Sequence, residues 1–230
     1  MKVLKFGGTS VGSVKNINKV ISILESVSKI ENCIVIVSAI GGITDKLIDA
    51  ADKAVQKNEL YLDSYTHIEL QHFHLIDKLI DDKAAKKRTQ NIVASKLKSL
   101  KQLLDGLYLI NELSPKTTDK LLSFGELMSS LIISEAMLAR GLTAVLKNSQ
   151  ELIITNNDYN KATVLFDITD DNITSYFKTN NYRITLLPGF VSTSKDGELT
   201  TLGRGGSDYT AAIIAAALNV DELQVWTDVS

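Results

Sequence analysis

The chain has 230 residues, 44% hydrophobic and 23% charged, which is enough apolar side chain for a core of its own without a disulfide or metal framework. A formal net charge of −2 gives no general attraction to nucleic acid or to an anionic membrane, so any anion must be held locally by a few well-placed groups. One cysteine excludes an internal disulfide, no stretch is expected to reach the roughly 18 apolar residues of a membrane span, and the opening Met1–Phe6 is too short for a secretion signal, so the expected location is cytoplasmic.

In chain order, Lys2 to Phe6 reads as a short buried strand ending at Gly7-Gly8. Ile17, Val20, Ile21, Leu24 and Val27 recur at helical spacing and predict a helix over about 14–28. Cys33-Ile34-Val35-Ile36-Val37 is a β-branched run suited to a strand covered on both faces, with Cys33 a buried thiol. After Gly41-Gly42, Thr44 or Asp45 is placed to cap a helix carrying Leu47, Ile48, Ala51 and Val55. Strand, glycine turn, helix, repeated, predicts an α/β fold: a three-layer αβα sandwich on a mainly parallel sheet. Residues 60–112 contain no proline and one glycine, and their apolar periodicity predicts a helical hairpin inserted in the domain, turning near Asp81-Asp82-Lys83, for packing or dimer formation. His67, His72 and His74 lie within it at spacings that share no helix face, which argues against a metal site and places them at a surface or interface.

Ser114-Pro115 marks a helix start, with the serine as cap and proline at the first helical position, and that helix should run to Arg140. Thr143–Lys147 predicts a strand, Asn156–Lys178 a polar, weakly helical segment, and Arg183–Leu187 another strand. Lys195-Asp196-Gly197 predicts a hairpin tip between Phe190-Val191 and Leu199-Thr200. A glycine loop over 203–208 precedes an alanine-rich helix over 209–218, and Leu223–Trp226 ends the reading as a strand with Trp226 in the core.

Three glycine turns, at Gly7-Gly8-Thr9-Ser10, Gly41-Gly42 and Gly203–Asp208, are expected on one edge of the sheet. There, exposed backbone N–H groups and helix amino-termini make anion sites, and Lys5 and Arg204 accompany them. Gly7 and Gly12 have the spacing of a Walker A loop, but Ser13 stands where the lysine of that loop is required. Gly203-x-Gly205 is followed by Asp208 where a dinucleotide-binding loop needs its third glycine, and it does not open the first βαβ unit. Neither a P-loop nor a dinucleotide-binding oxidoreductase fits well.

Five segments then point one way. Lys5-Phe6-Gly7-Gly8-Thr9-Ser10-Val11 resembles the opening signature of the aspartate kinases within the amino acid kinase superfamily. Val37-Ser38-Ala39 with Gly41-Gly42-x-Thr44-Asp45 is similar to their second loop. Ser123-Phe124-Gly125-Glu126-Leu127-Met128-Ser129 resembles the third signature, Leu202–Ala212 the fourth and Trp226-Thr227-Asp228-Val229 the fifth. The order is the family's, nearly the whole chain is covered, and the helical insertion and Phe-Gly-Glu segment favour aspartate kinases over other branches.

The resemblance implies transfer of the γ-phosphoryl of ATP to the β-carboxylate of L-aspartate, the first step toward lysine, threonine and methionine, with Mg²⁺ held mainly by phosphates and water. It implies catalytic roles for Lys5, against the phosphates, and for Asp208, which orients that lysine. Arg204 would grip the α-carboxylate and Glu126 the α-ammonium, with Ser38, Thr44 and Ser207 adding contacts. Gly7, Gly8, Thr9 and Ser10 would donate to phosphate oxygens, Thr227 and Asp228 would begin the nucleotide pocket, and no protein metal site is implied. An ionised carboxylate needs no general base near pH 7, which agrees with the lack of a base–nucleophile pair.

The family's pattern continues past Val229 and adds regulatory ACT domains. Residues 1–230 are therefore expected to be a catalytic domain cut short at its C-terminus, with the aspartate clamp present and the ATP pocket incomplete. The full-length form is expected to be a homo-oligomer, with fusion to homoserine dehydrogenase allowed. Two other readings stay open: another carboxylate or amino acid kinase of the superfamily, and a catalytically silent folding or dimerisation module.

Overall fold

The computed structural model of the chain describes residues 1–227. In order, β1 (Lys2–Phe6), α1 (Val14–Ile30), β2 (Cys33–Val37) and α2 (Ile43–Val55) lead into the helical pair α3 (Tyr61–Leu79) and α4 (Lys83–Ile110). Then come α5 (Pro115–Ala139), β3 (Ala144–Leu146), β4 (Ile154–Thr155), α6 (Phe166–Thr179) and β5 (Ile184–Pro188). The hairpin strands β6 (Val191–Ser194) and β7 (Leu199–Thr201), then α7 (Gly206–Ala217) and β8 (Glu222–Trp226), complete the order.

The main sheet is ordered β3-β5-β2-β1-β8, and every pairing in it is parallel. Side chains alternate across a strand, and the two faces feed different cores. Leu4, Phe6, Cys33, Val35 and Val37 join residues of α1, α2 and α5, whereas Val3, Ile34 and Ile36 join Ile173 of α6 and Ala211, Ile213 and Ile214 of α7. This is the expected three-layer αβα sandwich, and burying each such Ile or Val contributes roughly 1.5–3 kcal/mol. α3 and α4 form the expected hairpin and pack on α2 and α5 outside the first helical layer. A second sheet, β4-β6-β7, stands apart from the main one.

Several local expectations are met at the level of single atoms. Ser114 Oγ accepts the Thr117 N–H at 3.2 Å with Pro115 at the start of α5, and the Asp82 carboxylate accepts the Ala85 N–H at 2.7 Å to start α4.

Others are corrected. Neither Thr44 nor Asp45 caps α2: Gly42, in the left-handed region at φ 81°, is the N-cap, so both residues fall inside the first turn. A glycine takes that conformation without the steric cost a Cβ would add. His72 is not a surface residue but fully buried, because Tyr61, Ser64, Ile68, His72, Leu75 and Leu79 make the inward face of α3. Its Nδ1 lies 2.7 Å from the Ile68 carbonyl oxygen, and burial lowers its pKa to about 4, so the ring is neutral at pH 7. His67 and His74 are exposed, as expected. One stretch does have the length and hydropathy of a membrane span, contrary to expectation: α5, with a mean hydropathy of 1.4 over its most apolar window. Since 78% of that window is buried inside the fold, α5 is the central core helix. The segment read as weakly helical over 156–178 splits into an irregular stretch and α6, which begins only at Phe166.

Candidate active site

The loops after β1 and β2, the loop after β7 and the start of α7 surround one cleft of about 880 Å³. The first two follow parallel strands at the carboxyl edge of the main sheet, where open α/β sheets place ligands. The third glycine loop follows β7 of the small sheet, not a strand of the main sheet, and α7 brings it to the same edge. Lys5, Gly8, Ser38, Thr44, Glu126, Arg204, Ser207 and Asp208 all line this cleft.

Lys5 projects from the face of β1 that carries Val3, toward α7. Its ammonium meets Asp208 Oδ1 at 2.6 Å, with the lysine side chain only 8% exposed. Asp208 lies in the first turn of α7, whose N-cap is Gly205. A carboxylate there also suits the positive end of the helix dipole.

Glu126 sits on the cleft side of α5 and is 7% exposed. Burial raises its pKa to about 7, opposed by the backbone N–H of Ala39 directed at the carboxylate. No lysine or arginine pairs with it among the described residues. A buried carboxylate without a counter-charge is costly, and such a group in a cleft marks a functional site. Gly125 makes this geometry possible. A Cβ there would fall 2.8 Å from the Ala39 Cβ, so only glycine lets α5 press this close to the end of β2 and seat Glu126 in the cleft. Ser129 Oγ fastens the same contact by donating to the Ser38 carbonyl oxygen at 2.7 Å.

Arg204 is exposed on the cleft wall and forms no ion pair with a described carboxylate. Among the described residues the cleft therefore carries the unpaired cation of Arg204, the unpaired buried carboxylate of Glu126, the exposed carboxylate of Asp45 and the Lys5–Asp208 pair. That arrangement is matched to a ligand bearing both an ammonium and a carboxylate, with a second anionic group near Lys5.

The residues expected to hold a nucleotide divide. Gly8 lines the cleft, and the N–H groups of Gly8, Thr9 and Ser10 meet no acceptor among the described residues, as an anion-binding loop requires. The Gly7 N–H is used within the fold, donating to the Trp226 carbonyl oxygen at 2.9 Å, and so is not free for a phosphate oxygen as expected. The hydroxyls of Thr9 and Ser10 both donate to the Thr227 carbonyl oxygen, which seats Thr227 beside the first glycine loop. Asp228 lies outside the described residues. No group of three or more His, Cys, Asp or Glu side chains converges among the described residues.

Sequence reasoning passed over Asp119, Asn160, Thr201 and Phe190, of which the last three line the cleft. Asp119 was findable as a charge seven residues before Glu126, hence on the same helix face. Thr201 is brought to the site by the pairing of β7 with β6, and Asn160 and Phe190 by left-handed backbone turns beside that sheet, none of which leaves a periodic trace in the sequence.

The family profile described as Amino acid kinase family matches residues 1–230. Among curated relatives, the chain is 28% identical to the Bifunctional aspartokinase/homoserine dehydrogenase of Buchnera aphidicola subsp. Acyrthosiphon pisum, covering 100% of the chain and 28% of that protein. It is 31% identical to Lysine-sensitive aspartokinase 3 of Escherichia coli K12, covering 99% of the chain and 49% of that protein. Among solved structures, that of E. coli aspartokinase III in complex with aspartate and ADP superposes with a TM-score of 0.88 at 28% identity, over 100% of this chain and 49% of that one. The chain thus spans about half or less of the length of these relatives.

Proposed function

The chain belongs to the amino acid kinase family, and from that premise we propose that it is the catalytic part of an aspartate kinase, moving the γ-phosphoryl group of ATP to the β-carboxylate of L-aspartate. The observation that carries this reading is the buried, unpaired carboxylate of Glu126 in the same cleft as the unpaired guanidinium of Arg204. An α-amino acid presents an ammonium and a carboxylate on one carbon. Glu126 takes the first, and Arg204 takes the second through two parallel N–H···O bonds. Ser38, Thr44 and Ser207 add hydroxyl or backbone contacts. The similarity to a protein solved with aspartate and ADP supports the same substrate class.

With both α-groups held, the β-carboxylate is left to face Lys5. Having an ordinary pKa of about 3.9, it is ionised at pH 7 and needs no base. One of its oxygens attacks the γ-phosphorus, the bond to the β,γ-bridging oxygen breaks, and the electron pair leaves with ADP. The product is the acyl phosphate 4-phospho-L-aspartate, a first step toward lysine, threonine and methionine. Catalysis is then positioning plus neutralisation of charge on the moving phosphoryl. Lys5 supplies that charge, Asp208 aims it, and the N–H groups of Gly8, Thr9 and Ser10 cradle the phosphates, with Thr227 and Asp228 opening the nucleotide pocket. Mg²⁺ fits as an ion carried mainly by phosphates and water; Asp208 is taken by Lys5, which leaves Asp45 as the exposed cleft carboxylate that would hold it. What it supplies when bound is neutralisation of phosphate charge.

The test is product trapping. Protein incubated with Mg·ATP, L-aspartate and hydroxylamine should yield aspartyl hydroxamate, and N-acetyl-L-aspartate, which lacks the ammonium, should not replace aspartate. Equal turnover of the N-acetylated compound would redirect the assignment to another carboxylate kinase, and no aspartate-dependent ADP release would refute it.

A further inference from the structure

Asp119 is fully buried in α5, two turns before Glu126 and on the same helix face. No lysine, arginine or histidine pairs with it among the described residues. Its charge is met instead by neutral donors from two other segments. The Asn160 N–H reaches Oδ1 at 3.0 Å and Oδ2 at 3.1 Å. The Thr201 N–H reaches Oδ2 at 3.1 Å, and the Thr201 hydroxyl donates to Oδ1 at 2.5 Å. With its amide oriented to satisfy both neighbours, the Asn160 side chain also donates to Oδ1 at 3.0 Å and to the Pro115 carbonyl oxygen at 3.3 Å.

Both segments end against Gly203-Arg204. Thr201 closes β7, two residues before Gly203. Asn160 is held in the left-handed region at φ 70°, and its carbonyl oxygen lies so close to Gly203 that a Cβ there would be 2.8 Å away. The Ala162 N–H donates to the Thr201 carbonyl oxygen at 3.0 Å, tying the two segments to each other. A rigid helix therefore carries Glu126 at one point and, two turns away, the anchor for the loop that presents Arg204. A buried carboxylate is an expensive anchor, because its desolvation raises its pKa where an apolar contact would cost nothing. What it provides is direction: four N–H or O–H groups converge on two oxygens and fix the backbone of both segments.

We propose that Asp119 is the positioning residue that sets the span between Glu126 and Arg204, and so the fit of the cleft to the two α-groups of its amino acid substrate. This inference rests on the aspartate kinase reading. It assigns Asp119 no contact with substrate and no part in the phosphoryl step.

The experiment is steady-state kinetics of wild type, Asp119→Asn and Thr201→Val, with thermal melts of each. Asparagine keeps the shape but turns one acceptor into a donor facing donors; valine removes only the hydroxyl donor. If the loss of one hydrogen bond to a charged group is passed on to the site, the affinity changes by about tenfold. The expected result is an aspartate KM raised about that much in Asp119→Asn, and raised less in Thr201→Val. The KM for ATP and kcat should stay near wild type. If Asp119→Asn does not fold, Thr201→Val decides by the same split. Lowered melting temperatures with an unmoved aspartate KM in the folded variants would reduce Asp119 to a fold anchor and overturn the inference. Wild-type protein with no aspartate-dependent turnover would instead overturn the kinase reading, and this inference with it.

Discussion

Glu126 shows how a single residue couples stability to function. Its folded pKa is raised to about 7, so the protein binds this proton more tightly folded than unfolded between about pH 4.5 and 7, and stability falls as pH rises through that window. The penalty is complete above about pH 7 and absent below the unfolded value. Glu126→Gln is therefore expected to stabilise the protein by about 3 kcal/mol at pH 8, with the gain shrinking toward pH 5, while aspartate binding is lost. Urea unfolding at the two pH values measures this; a variant less stable than wild type at pH 8 would show that the carboxylate is satisfied in a way the fold does not reveal. Stability given up at a binding site is a common trade. That Glu126 belongs with the cleft was legible from the Ser123–Ser129 signature. That it is unpaired was not, because pairing depends on groups distant in sequence. The neutral, buried His72 was legible too: it continues the Tyr61, Ser64, Ile68 stripe, and comparing it only with the other two histidines hid that.

At the scale of elements, the site depends on how closely α5 lies against the end of β2. Gly125→Ala would put a Cβ 2.8 Å from the Ala39 Cβ. Overpacking of this kind costs about 1–3 kcal/mol, offset in part by the helix propensity gained, up to about 1 kcal/mol. A net loss of about 1–2 kcal/mol in denaturant unfolding is expected, together with a raised aspartate KM as α5 and Glu126 are pushed away from the end of β2. A variant as stable as wild type with unchanged KM would show that the contact is slack. Elements whose signals are local, such as β2 with its β-branched run and α5 with Ser114-Pro115, were legible in the sequence. β4, two residues long and made by pairing with β6, was not, and the polar stretch before α6 concealed a turn at Asn160 that the cleft uses. The start of α2 was misplaced by two or three residues because Thr44 and Asp45 suit a cap in general, whereas Gly42 supplies the backbone conformation there.

Over the whole molecule, the sandwich does one thing for the site: parallel strands aim the first two glycine loops at one edge, and the small sheet returns the third to meet them. The layer order followed from the strand, glycine turn and helix that repeat at the start of the chain. The convergence of the third loop did not, since its strand belongs to another sheet. The relatives named above extend well beyond the part that this chain matches.

The most direct test is calorimetric titration of the protein with L-aspartate at pH 8 and at pH 6. If the free site holds Glu126 with a pKa near 7 and the ligand's ammonium requires it ionised, affinity should fall about tenfold from pH 8 to pH 6, with a proton released on binding at the lower pH. An affinity independent of pH across that range, or no binding by folded protein, would contradict the assignment of Glu126 as the ammonium site and with it the proposed substrate.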